Sequence, residues 1–470
     1  MSEKIPVRDV TIQQPDPNKS DRFNPRSRIY VRAVQGIYQR LRQRMGFVML
    51  TLFLLLPWVP YGDRQGILLD VAEQKFYLFG VTLLPQDFTL LAYLFMIGAF
   101  GLFFVTTFLG RVWCGYWCPQ TVWTFLFIWF EEKLEGTANQ RKKLDQSPWN
   151  WNKGWRKTAK HLCWWLVSLL TALSFIAYFV PARSLFADFL TLQLGGGTLF
   201  WVLFFALCTY GNAGWMREIM CTHICPYARF QSVMFDKDTF IVGYDSARGE
   251  KRGPRGRKQD PKALGLGDCI DCQLCVQVCP TGIDIRNGLQ YECINCGACI
   301  DACDGVMEKM GYPPRLIAYT TEHQLAGGKT KVARPKLLGY GAVLLVMLGL
   351  FVASLATRSL VQLDVVRDRN ALYRETNEGL VENTYTLKVL NKDVDAHDFV
   401  LTVKGLPQGV QWQGEQQIKV APGELATLPI SLVVDPYDLQ KPVTDIVFEV
   451  SLPGDDHNQV SQDSHFFGPR

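Results

Sequence analysis

Eight cysteines between residues 269 and 303 repeat one spacing twice, and no other feature of the chain restricts its fold so tightly. The first run is Cys269-x2-Cys272-x2-Cys275-x3-Cys279-Pro280, and the second is Cys293-x2-Cys296-x2-Cys299-x3-Cys303. Three closely spaced thiolates wrap one iron-sulfur cube, while the fourth, displaced by an extra residue, reaches the neighbouring cube. The spacing therefore predicts two 4Fe-4S clusters in a bacterial-ferredoxin-like α+β segment, with crossed ligands. Cys269, Cys272, Cys275 and Cys303 would hold the first cluster, and Cys293, Cys296, Cys299 and Cys279 the second. Paired C-x-x-C is also a zinc pattern, but zinc has no use for a third cysteine two residues on and a fourth after three more. Ile270, Val276, Ile294, Gly297, Ala298 and Ile300 supply the dry, amide-rich wrapping that tunes a cluster. The second run ends at Asp304 where the first has proline, which leaves the ligands in place.

The chain has fourteen cysteines and none beyond Cys303, a usage that suits cofactor chemistry in a reducing compartment better than a disulfide scaffold. A mean hydropathy of +0.03 over 470 residues puts part of the chain in lipid. Five stretches have the apolar length for a bilayer: roughly Met45 to Pro60, Phe88 to Leu109, Leu162 to Val180, Thr198 to Trp215 and Lys336 to Ala356. The positive-inside rule orients them. Ten Lys and Arg precede residue 45 and eight lie between Glu131 and Lys160, so both segments face the cytoplasm. The loops Tyr61 to Asp87 and Ala182 to Gly197 are poor in both residues and face outward. This parity makes Val112 to Phe130 a re-entrant or interfacial helix and puts everything after Arg358 in the periplasm of a bacterial inner membrane. No small-residue cleavage site follows the first apolar run, which argues against a removed signal peptide. A net charge of +5, with its basic residues in blocks beside apolar runs, points to membrane lipid and gives no case for nucleic acid.

A second cysteine pattern sits at the membrane edge. Arg111-x2-Cys114-x3-Cys118-Pro119 follows the second span, and Arg217-x3-Cys221-x3-Cys225-Pro226 follows the fourth. Positions i and i+4 share a helix face, so each pair is expected to present two sulfurs side by side, with four thiols converging on one site. Soft thiolates favour Cu(I) over Cu(II), so copper held there would be easier to reduce. Small buried cysteines in apolar helices are the alternative reading. Cys163 and Cys208, inside spans, have no partner at ligand spacing and are structural.

Asp245 to Leu266 is rich in Gly, Pro and basic residues and reads as a mobile connector, with a docking strip for an acidic electron donor as the other possibility. From about Glu382 the apolar period becomes two: Tyr385, Leu387, Val389; then Phe399, Leu401, Val403; then Ile446, Phe448, Val450, Leu452. Strands at this spacing, with turns such as Leu406-Pro407-Gln408-Gly409, suggest an immunoglobulin-like β-sandwich that works as an interaction module. The domain plan is a basic segment 1–44, a four-helix membrane domain 45–230, a ferredoxin-like domain 231–335, a fifth transmembrane helix 336–358 and a periplasmic sandwich 359–470.

With these parts in order, nearly the whole chain resembles the CcoG family, also called FixG or RdxA, accessory proteins of cbb3-type cytochrome c oxidase. The motifs CGYWCPQ at Cys114 to Gln120 and CTHICPYARFQ at Cys221 to Gln231, together with the double cysteine run, carry the resemblance. It implies a cupric reductase that turns Cu(II) into Cu(I) in the cytoplasm, ahead of a copper-exporting P-type ATPase and the oxidase assembly factors; on the reading favoured here a cytoplasmic electron donor charges the clusters. Carried over by position, Cys114, Cys118, Cys221 and Cys225 match the cysteines linked to copper handling, and the eight run cysteines match the cluster ligands. The CxxxCP motifs also resemble those of quinol-dehydrogenase membrane subunits of the NapH type. A quinone-linked relay, or an assembly scaffold with structural clusters, are therefore the alternatives to copper reduction.

Overall fold

The computed structural model describes residues 29–469 except Asp63, Lys258, Lys262, Arg369, Asn370, Val394, Gln408 and Gly454. Most of the basic N-terminal segment and the tip of the turn at Gln408 therefore lie outside the described residues. The chain divides into two units. The first joins the residues up to Val48 with Val105–Ser168 and Leu207–Arg334; the second joins Met49–Phe104, Leu169–Ala206 and Pro335–Arg470. Both CxxxCP motifs thus belong to the same unit as the double cysteine run, whereas the sequence plan assigns them to separate domains.

In the first unit a two-stranded antiparallel sheet, Ile241–Tyr244 against Ile317–Thr320, brackets both cysteine runs, with Val242 opposite Tyr319. The short helix Leu274–Gln277 carries Cys275 of the first run, and the helix Ala298–Met310 carries Cys299 and Cys303 of the second. Val242, Ile285, Ile300, Met307, Leu316 and Ile317 form the core beneath them. Each such side chain contributes about 1.5–3 kcal/mol on leaving water. The start of helix Ile37–Leu55 is tied to this core, because the Tyr38 and Gln39 amides donate to the Asp301 carboxylate at 3.2 and 2.7 Å. A carboxylate there satisfies donors that a helix N-terminus leaves open.

The stretch 112–130 is not one helix. Val112–Tyr116 ends at Trp117, Cys118 is extended, and Pro119 opens a new helix, Pro119–Glu135. Proline at the first helical position has no amide to lose, and its ring bars a continuous helix through Cys118. The later part of Pro119–Glu135 is held by buried charges. Glu131 accepts from Arg141 at 2.9 Å and from Arg217 at 2.6 Å, while Glu135 pairs with Lys157 and Lys160, each at 3.0 Å.

Among the described residues, four helices are long and apolar enough to cross a membrane: Phe88–Leu109, Trp151–Ile176, Gly196–Met216 and Pro335–Ala356. The first apolar run differs from expectation. It belongs to helix Ile37–Leu55, which begins with Arg40, Arg42 and Arg44. Its apolar part after Arg44 rises about 16 Å, roughly half of the hydrocarbon thickness.

The second unit contains the sandwich. One sheet has the order Gln411–Gln413, Leu425–Val434, Val381–Asn391, Val361–Arg367, with Arg374–Glu375 also paired to Val381–Asn391. The other runs Gln417–Val420, His397–Lys404, Val443–Leu452, Asp455–Phe467. Tyr385, Leu387, Val389, Phe399, Leu401, Ile446, Phe448 and Val450 are buried between them, as period two requires. Val403 and Leu452 sit half-buried at the margin of that core. A small three-stranded sheet, Ile67–Asp70, Lys75–Leu78 and Val81–Leu83, fills what the sequence reads as a plain loop. Asp87, at the start of helix Phe88–Leu109, pairs with Arg358 at 2.7 Å and with Lys392 of the sandwich at 3.2 Å.

Candidate functional site

The two cysteine runs adopt one backbone course. Asp271 and Gln273 in the first run have φ of 54° and 56°, and the equivalent Asn295 and Gly297 in the second have 50° and 73°. Left-handed residues at these places curl the chain into a nest whose amides face inward, a setting for negative charge. One cavity of about 360 Å³ is lined by Cys269, Cys272, Cys275 and Cys303, with Tyr244, Ile270, Leu274 and Met307 among its other walls. A second, of about 350 Å³, is lined by Cys279, Cys293, Cys296 and Cys299, with Cys275 at its edge. Each cavity thus takes three thiols from one run and the last thiol of the other. All fourteen cysteines are free thiols. Among the described residues no three His, Cys, Asp or Glu side chains are drawn together to hold a single ion. Thiols spread around dry cavities of this size fit a cube with several metal corners better than one tetrahedral zinc. Burial pushes Cys275, Cys293 and Cys303 up to about 12, so the metal-free thiols are neutral and cluster loading must release protons.

The CxxxCP motifs depart from the side-by-side expectation. Cys114 is helical, but Cys118 is extended (φ −60°, ψ 126°). Cys221 lies in the wide π-type turn Met220–Ile224, and Cys225 is again extended (φ −70°, ψ 111°). Each pair straddles a helix break, because Pro119 and Pro226 start new helices immediately after the second cysteine. The four lie near enough to influence one another, Cys114 with Cys118 and Cys221, and Cys221 with Cys118 and Cys225, but they are not drawn together into a preformed ion site, and contacts of other residues cross between the two motifs. The Cys114 thiol donates to the Gln231 carbonyl oxygen Oε1 at 3.3 Å, and Gln120 donates to the carbonyls of Asn212 at 2.9 Å and Arg217 at 3.3 Å. Burial raises Cys114 to about 12; the neighbouring Cys118 and Cys221 add to this, and Arg111 opposes it. Burial likewise raises Cys221 to about 12, helped by Cys118 and Cys225.

This thiol group abuts the second cluster loop. Cys114 packs with Val278, Ile294, Cys296 and Ala298. A Cβ on Gly115 would stand 2.7 Å from the Ile294 carbonyl oxygen and 3.0 Å from the Cys296 Cα, so only glycine permits the approach. Buried Arg111 donates to the Tyr291 carbonyl at 2.6 Å and to that of Ala228, binding the first motif to the cluster loop and to the helix after the second motif. Tyr116, between the first two cysteines, shares a 3.0 Å hydrogen bond with Tyr319, whose hydroxyl donates to the Asn295 carbonyl. Beside Cys221 opens a cavity of about 420 Å³, walled by Ile29, Val31, Phe125 and Ile294 and reached by Thr281 and Glu218. Sequence reasoning singles out the cysteines but misses Gly115, Asn295 and Tyr319. The only signal for Gly115 is its place inside a doubled motif.

Comparison with known proteins finds iron-sulfur domains and a family for this chain. The family model for a 4Fe-4S dicluster domain matches residues 216–322, and one for a 4Fe-4S binding domain matches residues 91–135. A model for the immunoglobulin-like fold at the C-terminus of FixG matches residues 351–469. The nitrogen fixation protein FixG of Rhizobium meliloti is 36% identical over 423 residues, covering 82% of this chain and 80% of its own length. Protein RdxA of Cereibacter sphaeroides is 38% identical over 399 residues, covering 82% of this chain and 83% of its own. A crystal structure of a FixG-related protein from Vibrio parahaemolyticus is 40% identical, covers 24% of this chain and 98% of its own, and has a TM-score of 0.22. Over four-fifths of its length, then, this chain belongs to the FixG/RdxA family of iron-sulfur electron-transfer proteins.

Proposed function

We propose that the protein is a membrane-bound reductase that delivers single electrons from its clusters to Cu(II) at Cys114, Cys118, Cys221 and Cys225, releasing Cu(I). The observation that carries this reading is the packing of Cys114 against Cys296 and Ile294, which brings a soft-donor site against the loop of the second cavity. When bound, 4Fe-4S clusters supply one-electron transfer at a low potential. The two groups of four thiols around the cavities are the residues that would hold them, with the last cysteine of each run serving the other's cluster. Cys114, Cys118, Cys221 and Cys225 offer only sulfur, a donor set that favours Cu(I) over Cu(II) and pulls the reduction forward. Gly115 and Arg111 keep the thiol group against the cluster loop. We place the clusters and the N-terminus on the cytoplasmic side and the sandwich in the periplasm, by the Lys and Arg distribution. The Cu(I) product would pass to an exporting ATPase and to oxidase assembly.

The apolar walls of the cavity beside Cys221 would also fit a quinone ring, and that observation supports a quinone-linked relay as the second reading. Purified protein with reduced clusters, mixed anaerobically with Cu(II), should bleach its cluster absorbance as Cu(I) appears in a chelator assay. Oxidation by a soluble quinone but not by Cu(II) favours the relay; oxidation by neither would sink both in favour of a scaffold.

A further inference from the structure

From Lys251 to Lys262 the sequence holds six basic residues, Lys251, Arg252, Arg255, Arg257, Lys258 and Lys262, against Asp260 alone. This stretch is not a connector detached from the clusters. The Gly253 amide donates to the Cys269 carbonyl at 3.3 Å, and the Gly267 amide returns to the Lys251 carbonyl at 2.9 Å. Arg255 reaches the same Cys269 carbonyl at 3.5 Å and donates to the Tyr312 hydroxyl at 3.0 Å. The strip is therefore laid along the first cluster loop, and at the tip of that loop Cys272 is exposed, flanked by exposed Asp271 and Gln273. The other seven cysteines of the two runs are buried or half-buried. Of the acidic side chains nearby, Glu250 pairs with Arg252 at 3.0 Å and Asp268 with Arg248 at 2.6 Å, while Asp271 and Asp284 share Arg286 and leave one negative charge over. Lys251 and Arg257 are exposed, and the strip's six basic residues outweigh Asp260, Glu250 and the one carboxylate left over at Asp271 and Asp284, so the surplus over the strip and the first loop together is positive.

We infer that this surface docks a small acidic one-electron carrier protein, of the flavodoxin type, against the exposed edge of the first cluster site. The inference rests on the electron-transfer reading above and gives the two clusters an order. Electrons enter at the loop that carries Cys272 and leave at the loop that carries Cys296, where Cys114 packs. In each transfer the carrier is oxidised by one electron and the site behind Cys272 is reduced by one; no bond is made and no group moves. Basic charge on the strip paired with Cys269, on the loop whose one exposed thiol is Cys272, both orients an acidic carrier and speeds encounter. An anionic bilayer is the other surface that a basic strip attracts, but lipid lying on it would cover Cys272.

The test uses the full-length, cluster-loaded protein in phosphatidylcholine nanodiscs and an acidic recombinant flavodoxin. Association is measured by biolayer interferometry at low and high salt, for the wild type and for K251E/R257E. The wild type should bind, with affinity falling about tenfold or more in the variant and again with salt. Cluster absorbance and spin-resonance signals should be unchanged in the variant, as should copper reduction started with dithionite in place of the carrier. That last arm separates the inference from the copper reading, since it requires no docking. Equal flavodoxin binding by wild type and variant would overturn the inference. So would binding to phosphatidylglycerol vesicles with no binding to flavodoxin.

Discussion

Gly115 faces the Ile294 carbonyl so closely that a side chain on it would begin 2.7 Å from that oxygen. Replacing Gly115 with Val must push the first motif off the loop that carries Cys293 and Cys296, while every cysteine stays in the chain. Transfer to Cu(II), followed by stopped flow from the reduced state, should slow by about 10- to 100-fold, the scale of a displacement near 1 Å at a reacting pair. Iron content and the cluster spectrum should remain those of the wild type. An unchanged rate would mean that electrons leave elsewhere.

Cys279 belongs to the first run by sequence but lines the cavity of the second. Cys279→Ser should therefore damage the cluster of Cys293, Cys296 and Cys299 and spare the one of Cys269, Cys272 and Cys275. Iron and acid-labile sulfide analysis should find about half of the wild-type content, with one of the two interacting spin-resonance signals gone. Loss of the first cluster in its place would refute crossed ligation.

Serine at Cys114, Cys118, Cys221 and Cys225 together should leave both clusters in place and abolish copper reduction. Serine oxygen is a hard donor and does not stabilise Cu(I). Reduction that proceeds at the wild-type rate would remove these four residues from the copper site.

Asp87 is held below the ordinary carboxylate value of 3.8. Burial works against this, but the Leu84 amide and the charges of Arg358 and Lys392 outweigh it. A group with a depressed folded value stabilises above its unfolded value, and the contribution fades as pH falls through the folded one. Asp87→Asn should thus destabilise the protein at pH 7 by on the order of 3–5 kcal/mol, as for a broken buried pair, seen as a lower unfolding midpoint. The gap to the wild type should close as pH falls below 3.8. A gap that keeps its full size well below pH 3.8 would show that the charge is not what matters. Scanning fluorimetry of both proteins across pH measures it.

Much of this arrangement is legible in the sequence, and the exceptions have physical causes. Cluster-ligand grouping follows from local spacing, so the cavities collect the thiols that the spacing pairs. The sandwich announces itself because period two survives in Tyr385, Leu387 and Val389, all buried. The geometry of the CxxxCP pairs is missed although its signal is present: Pro119 and Pro226 forbid the continuous helix that an i, i+4 reading assumes. What joins the two motifs cannot be read from either one, since Gln231, Arg111 and Gln120 act across about a hundred residues of chain. Composition misleads for the strip after Glu250. Gly, Pro and Arg look like a connector, yet the Gly253 amide pairs with the Cys269 carbonyl and the Lys251 carbonyl with the Gly267 amide, partners that only the folded state supplies.

The strand Ile241–Tyr244 is translated before either cysteine run, and its partner Ile317–Thr320 after both. A ribosome must therefore pass Thr320 before the flaps around the two metal cavities can meet, and soon afterwards it releases the apolar helix Pro335–Ala356. Until then eight thiols stand open to oxidants and stray ions. Pairing of that sheet over the two cavities and emergence of the apolar helix Pro335–Ala356 thus fall close together in the synthesis of the chain.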